Sequence, residues 1–232
     1  AIGTSLNCPK PFPKNVCANL NKIYSSLNIK FKPNPNKSEM MSSQNHILSM
    51  SSSLLRIAST YTKICNDLRW MNSGPISGLA EISLKPLQPG SSIMPGKINP
   101  VIPEAVLMAM TQVSGHHSST ISGCMSGNFQ LNTMLPIIAH NLIDSFNLII
   151  NSTFALVETI NTFKVNKSNI KDNLEKNPII ATKLNEVIGY DQSAAIVKEA
   201  YKTNKSIIEI ALEKTELSKS QLLKILDPKK LI

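Results

Sequence analysis

The densest group of chemically capable side chains in the 232 residues lies in one stretch, Gly90-Ser91-Ser92-Ile93-Met94-Pro95-Gly96-Lys97-Ile98-Asn99-Pro100. Two hydroxyls, an amine and a carboxamide fall within nine residues, from Ser91 to Asn99. Gly90 and Gly96 let a ligand approach the backbone closely, and loops held by a rigid scaffold are where binding groups concentrate. Asn99-Pro100 reads as a helix start, with Asn99 as N-cap and Pro100 in the first turn. The stretch therefore feeds into a helix N-terminus, where N–H groups and the dipole favour an anion. A carboxylate would meet donors from Ser92, Lys97, Asn99 and backbone amides together, and charge developing on it would be stabilised there. A phosphate-cradling loop is excluded by spacing. Gly90 and Gly96 enclose five residues rather than four, Lys97 is followed by Ile98, and no strand is predicted ahead of them.

Other reactive side chains carry weaker signals. His116 and His117 are adjacent, so on a helix they point to different faces and do not share a metal; a surface or turn role is expected. His46 reads as solvated or interfacial, and His140 as a packing or hydrogen-bonding residue. Cys8, Cys17, Cys65 and Cys124 lie far apart without a C-x-x-C pair, which argues against zinc ligation and a disulfide framework and for a reducing compartment. The net charge is +9, but the lysines are scattered and aromatics make up only 5%. No nucleic-acid partner is therefore expected, and the lysines of 219–230 read as a solvated face. No apolar run reaches membrane-spanning length and no signal peptide opens the sequence. The expected location is cytoplasmic, with the mitochondrial matrix as the alternative, and no membrane partner.

The elements that must position this chemistry are helical. A hydrophobic content of 42% is that of a folded protein. After a short helix at 14–27 and a proline-punctuated extended segment at 31–36, Ile47, Leu54, Tyr61 and Leu68 recur every seven residues. Met50, Ile57, Ile64 and Met71 recur in the same way between them. That is an a/d pattern on one helix over 38–73, which needs partners along its whole length of about 50 Å. Residues 74–98 are loop-like. A second helix starts near Asn99-Pro100 and runs to about Ser114 or beyond. A third spans 131–165, with Leu131, Leu135, Ile138, Leu142, Ile149, Leu156, Ile160 and Phe163 on its buried side and Pro136 placed to kink it. Short polar helices follow at 167–175, 180–188, 192–203, 206–213 and 218–225. No strand-period segment stands out, so the fold class is all-α. The expected organisation is a long-helix bundle over 1–165, carrying the loop at 83–100, and a small C-terminal helical domain over 166–232.

The loop resembles the signature of the fumarase/aspartase superfamily, G-S-S-x-M-P-x-K-x-N-P, with every fixed position filled. Further segments follow the family order: Gly3-Thr4 to Asn7, Asn34-Pro-Asn-Lys-Ser-Glu39, Asn66-Asp-Leu-Arg69, Ser73-Gly-Pro75, Gly78-Leu-Ala-Glu-Ile82, Gly127-Asn-Phe-Gln-Leu-Asn132, His140-Asn-Leu142 and Ile188-Gly-Tyr-Asp191. Pro95-Gly96-Lys97, Gly127-Asn-Phe129 and Gly189-Tyr-Asp191 are similar to the class II fumarase form. Gln130 and Val101-Ile-Pro103 lean towards aspartase. Three departures stand out: Ile76 occupies an arginine position, Ala80 a glycine position, and Gln44-Asn45 replaces a pair that usually carries Asp.

The resemblance implies a cofactor-free lyase that adds water to fumarate to give L-malate, reversibly, in the tricarboxylic acid cycle. By the family pattern Ser91 takes the C3 proton of malate, while Ser92, Lys97, Ile98 and Asn99 contact the substrate. Glu104 matches the carboxylate that orients a histidine handling the water. That histidine belongs to a G-R-T-H-x-x-D segment, which these residues do not contain. The expectation is a chain corresponding to the C-terminal half of a class II fumarase, inactive alone, whose helices join those of other copies in a tetramer. Two other readings remain open: an aspartate ammonia-lyase-like member, and a non-catalytic oligomerisation module or gene relic.

Overall fold

The computed structural model describes residues 3–88, 94 and 98–231. They divide into two compact units: Ala1–Arg69 with Lys85–Thr162, and Trp70–Leu84 with Phe163–Ile232. Residues 70–84, which sequence alone groups with the long helices, cluster with the C-terminal segment.

In the first unit α1 (Phe12–Ile23) is followed by a 3-10 turn. The Asn21 amide clasps the Phe31 backbone at 3.0 and 2.7 Å, returning the extended segment onto α1. The long helix expected over 38–73 is two helices, α2 (Lys37–Ser42) and α3 (Asn45–Met71), separated at Gln44, whose φ is 53°. The cause is local. Ser43 Oγ donates to the Glu39 carboxylate and Gln44 Nε2 to the Met40 carbonyl, and such side-chain bonds compete with helix continuation.

Helices α4 (Val101–Cys124) and α5 (Leu135–Thr162) form an antiparallel hairpin in which Gly123 faces Ile138 and His116 faces Ser145. Glycines 115 and 123 do not interrupt α4. The third helix starts later than its apolar pattern predicts, because Asn128 and Leu131 pair their backbones in the connecting turn. Pro136 therefore sits in the first turn of α5, where a missing N–H costs nothing and no kink is required. Asn132 is buried at the tip, donating to the Gly123 carbonyl at 2.9 Å and accepting from the Met134 N–H at 2.8 Å. Gly127 permits close approach there, since a Cβ would lie 2.5 Å from the Ser42 carbonyl oxygen.

The bundle's inner seam only partly follows the heptads. Ser51, Leu54, Ala58, Cys65 and Leu68 are the buried residues of α3, so the Leu54/Leu68 stripe packs inwards. Met50 and Ile57, from the second apolar stripe, are exposed. On α5 the buried residues are Ile138, Asn141, Ser145, Ile149, Ser152 and Leu156, whereas Ile160 is exposed, as is Leu131 in the preceding turn. Tyr61 Oη pairs with Thr153 Oγ1 at 2.7 Å and Ser51 Oγ with His117 Nδ1 at 2.8 Å, tying α3 to α5 and to α4.

In the second unit β1 (Ile82–Ser83) pairs antiparallel with β2 (Lys164–Val165), in register Ile82↔Val165. This small sheet was not apparent from side-chain periodicity, which two-residue strands cannot display. Helices α6 (Lys167–Lys176), α7 (Asn185–Ile188), α8 (Tyr190–Thr203), α9 (Ile207–Lys214) and α10 (Lys219–Ile225) follow, with 3-10 turns at Pro178–Leu184 and Pro228–Leu231. Their core is aliphatic: Ile180, Leu184, Ile196, Ile207, Ile210, Leu222 and Leu226 are all buried. Reciprocal capping boxes, Ser206 with Glu209 and Ser218 with Gln221, start α9 and α10. Both helices begin one residue after the starts expected at 206 and 218. Among the described residues the regular structure is helical apart from the two short strands.

Candidate active site

Described segments flank the signature loop on both sides. Its leading end leaves β1, which three asparagines pin. Asn72 Oδ1 accepts from the Leu84 N–H at 2.8 Å. Asn166 Nδ2 donates to the Ala80 carbonyl at 2.8 Å, and Asn169 Nδ2 donates to the Leu79 carbonyl at 2.5 Å. Asn166 also donates its N–H to the Glu81 carbonyl at 2.8 Å. Sequence reasoning missed these roles. Asn166 precedes a helix and looks like its cap, but its side chain makes no cap bond and serves the opposite strand instead. A separate turn, closed by Ser73 Oγ accepting from the Leu79 N–H at 3.0 Å, carries Ile76 almost fully in solvent.

The trailing end enters α4. The cap is Pro100, with no side-chain cap bond, rather than Asn99. Asn99 instead offers its carbonyl to the Val101 N–H at 2.9 Å, and the Pro100 carbonyl accepts from the Glu104 N–H at 3.0 Å. Pro103 has no N–H. Among the described residues this leaves the Ile102 N–H as the unpaired backbone donor of the first turn. The helix terminus thus offers fewer free amides to an anion than its sequence suggests.

Glu104 lies in this first turn, half-buried; Asn99 is half-buried and Ile98 exposed. Asn99 and Glu104 are therefore placed at one helix end, on either side of the cap. Ser91, Ser92 and Lys97 lie outside the described residues.

Further along α4 the histidines depart from expectation. His116 is buried and faces α5, with Nδ1 at 3.2 Å from Ser145 Oγ, and His117 binds Ser51 of α3. Their side chains do diverge, but into helix contacts rather than a surface or turn. His140 packs its ring edge-on to His116, with centroids 6.4 Å apart. Deeper in the bundle, burial of Cys65 pushes its thiol up to about 11, opposed by nearby Arg69, so it stays protonated. Among the described residues no group of three His, Cys, Asp or Glu side chains is placed to hold a metal ion, and no helix is long and apolar enough to cross a membrane.

Comparison with known proteins places this arrangement. A family model described as Lyase matches residues 1–115, and one described as Fumarase C C-terminus matches residues 180–232. A Xylella fastidiosa protein named fumarate hydratase class II is 45% identical over 230 residues, 98% of this chain and 48% of that protein. Among solved structures, the fumarate lyase:delta crystallin of Brucella melitensis superimposes with a TM-score of 0.91 at 36% identity, over all of this chain and 50% of that one. The class II fumarase of Schistosoma mansoni gives 0.88 at 32%, over all of this chain and 51% of its own. The chain spans about half the length of the curated relatives it matches. It belongs to the fumarase/aspartase superfamily of lyases and corresponds to the C-terminal half of the class II fumarases.

Proposed function

We propose that this chain supplies the C-terminal half of a fumarate hydratase active site, which interconverts fumarate and L-malate. The observation that carries the reading is the complete G-S-S-x-M-P-x-K-x-N-P stretch running into the N-terminus of α4, with Glu104 in the first turn, in a chain 45% identical to a class II fumarate hydratase. In the malate direction Ser91, as an alkoxide, removes the C3 proton. The electron pair left behind delocalises into the adjacent carboxylate, giving a dianionic aci-carboxylate. Loss of the C2 hydroxyl as water, with a proton supplied to it, then yields fumarate. A free serine is far too weak a base for this, so the alkoxide needs the Lys97 cation, loop amides and the α4 dipole. The same groups, with Asn99, stabilise the charge that builds on the carboxyl oxygens. Ser92 and Ile98 line the substrate. Glu104 orients and charges a histidine contributed by another segment, which handles the water. No cofactor is needed.

The partners under this reading are the dicarboxylate and further copies of the chain, assembled as a tetramer in the cytoplasm. The outward face of α5 supports assembly: Ile143, Phe146, Ile150, Phe154 and Val157 are all exposed, at helical spacings of three and four. Neither nucleic acid nor membrane enters the reading.

The test is a coupled assay with fumarate, malate and aspartate. It is run on the chain alone and on the chain combined with the N-terminal half of a class II fumarate hydratase. Turnover of fumarate and malate only in the combined sample is expected. Turnover of aspartate but not malate would replace water with ammonia as the group released. No turnover in the combined sample would make the chain a non-catalytic module, and fumarate hydration by the chain alone would refute the need for the external histidine.

A further inference from the structure

A cavity of about 260 Å³ lies within the C-terminal unit, between the 3-10 turn at Pro178–Leu184 and α8. Ala181, Ala194 and Val197 give it an apolar surface, and Tyr190, Ser193 and Lys198 bring polar groups to it. Ser193 is 2% exposed, and its Oγ has no hydrogen-bond partner. An unpaired buried hydroxyl is costly to a fold and calls for an explanation. Here the residue is part of a cavity lining, so a bound molecule can supply the missing partner.

The start of α8 reaches the same cavity through Tyr190, Ser193 and Ala194. Its N-cap, Gly189, makes no side-chain cap bond. Among the described residues the N–H groups of Tyr190, Asp191 and Gln192 have no backbone partner. The first paired amide is that of Ser193, which donates to the Gly189 carbonyl at 3.2 Å. Unpaired amides and the positive end of the helix dipole favour an anion. Lys198 adds a cation that no carboxylate of the described residues pairs, whereas Lys183 and Glu186 pair with each other at 2.8 Å. The opposing charge is Asp191, which is in the first turn but not part of the lining. Thr182 spends its proton on the Ile179 carbonyl at 2.8 Å.

We propose that this cavity binds a small carboxylate carrying a short apolar chain. The carboxylate sits at the first turn of α8, where the free amides, the Ser193 hydroxyl and the Lys198 ammonium donate to it. The chain lies on Ala181, Ala194 and Val197. An oxyanion without an apolar part leaves that surface wet, and an amine meets mostly donors.

The test is an NMR titration of the whole chain, 15N-labelled at its four tyrosines, with butyrate, butylamine and inorganic phosphate at constant pH and ionic strength. A Tyr190→Phe variant assigns the Tyr190 amide signal. Butyrate should shift that signal saturably and leave those of Tyr24, Tyr61 and Tyr201 in place. Ser193→Ala should weaken butyrate about fivefold without lowering the melting temperature, since it removes a hydroxyl unpaired in the free chain. Lys198→Met, at an exposed position, should weaken it about threefold. A Tyr190 signal that butyrate leaves unmoved, or that phosphate or butylamine moves as far, would overturn the proposal. So would saturation at the same butyrate concentration in Ser193→Ala.

Discussion

The two units differ in how much of their buried surface is small or polar. The C-terminal unit encloses its large aliphatics: Leu184, Ile196, Ile207, Ile210 and Leu222 are no more than 2% exposed. In the long-helix unit much of the inner seam is small or polar, with Ser51, Ala58 and Cys65 on α3 and Asn141, Ser145 and Ser152 on α5. Large apolar residues on the same helices lie outside, among them Met50, Ile57, Ile150 and Phe154. A core of the first kind closes on itself. A seam of small residues lets helices approach closely, and an apolar stripe of this extent on the outside marks a surface meant to be covered. The contrast teaches that an apolar period along a helix does not by itself tell which of its residues face the chain's own core.

Breaking that contrast should have graded effects. Ile210→Ala, at the centre of the closed core, should cost about 4 kcal/mol of unfolding free energy, read from urea denaturation. Ile149 and Ile150 are neighbours on α5 with opposite environments, 6% and 49% exposed. Ile149→Ala should cost about 3 kcal/mol, whereas Ile150→Ala should cost less than about 0.5 kcal/mol in the isolated chain and weaken self-association in sedimentation. Equal losses at both positions would end the two-seam description. Gly127→Ala should cost about 2 kcal/mol, because the new methyl meets the Ser42 carbonyl and the hairpin tip must shift. Ser218→Ala, removing a capping box from the closed unit, should cost about 1 kcal/mol in the same melts.

A pH dependence is expected on the long-helix side. The folded thiol of Cys65 sits near 11 against an ordinary 9.0, so the unfolded chain releases this proton first. Its stabilisation is full below pH 9 and is lost as pH rises from 9 towards 11. Melts of wild type and Cys65→Ala at pH 8 and 10.5 should therefore converge at the higher pH. Under native conditions at pH 8 Cys65 should resist alkylation that modifies the half-exposed Cys8 and Cys17.

Much of the helical layout was legible from residues. Pro100 falls at the start of α4, and four of the five C-terminal helices lie within two residues of their expected limits, whereas most of the helix expected over 180–188 is a 3-10 segment at 178–184. The stop at Ser43-Gln44 was not legible, because it depends on side chains folding back onto α2 rather than on Pro or Gly. Nor was the choice between the two stripes of α3, since both satisfy the same period. For the site, Asn99 and Glu104 fall at one helix end as their spacing requires, while the capping role read for Asn99 passes to Pro100. The Asn166 and Asn169 bonds that hold the β1 segment join residues 86 and 90 positions apart, a separation no local pattern reports.

By itself the sequence determined that the chain is helical, where most helices lie, and which loop gathers the densest set of polar side chains. Each of these rests on contacts within a few residues, namely periodicity, caps and motif spacing. Only the tertiary structure decided that residues 70–84 join the C-terminal unit, that small and polar residues form the inner seam, and that His116 bridges α4 to α5. Those outcomes depend on which distant surfaces meet and on how closely two backbones approach, and neither is written in any one segment.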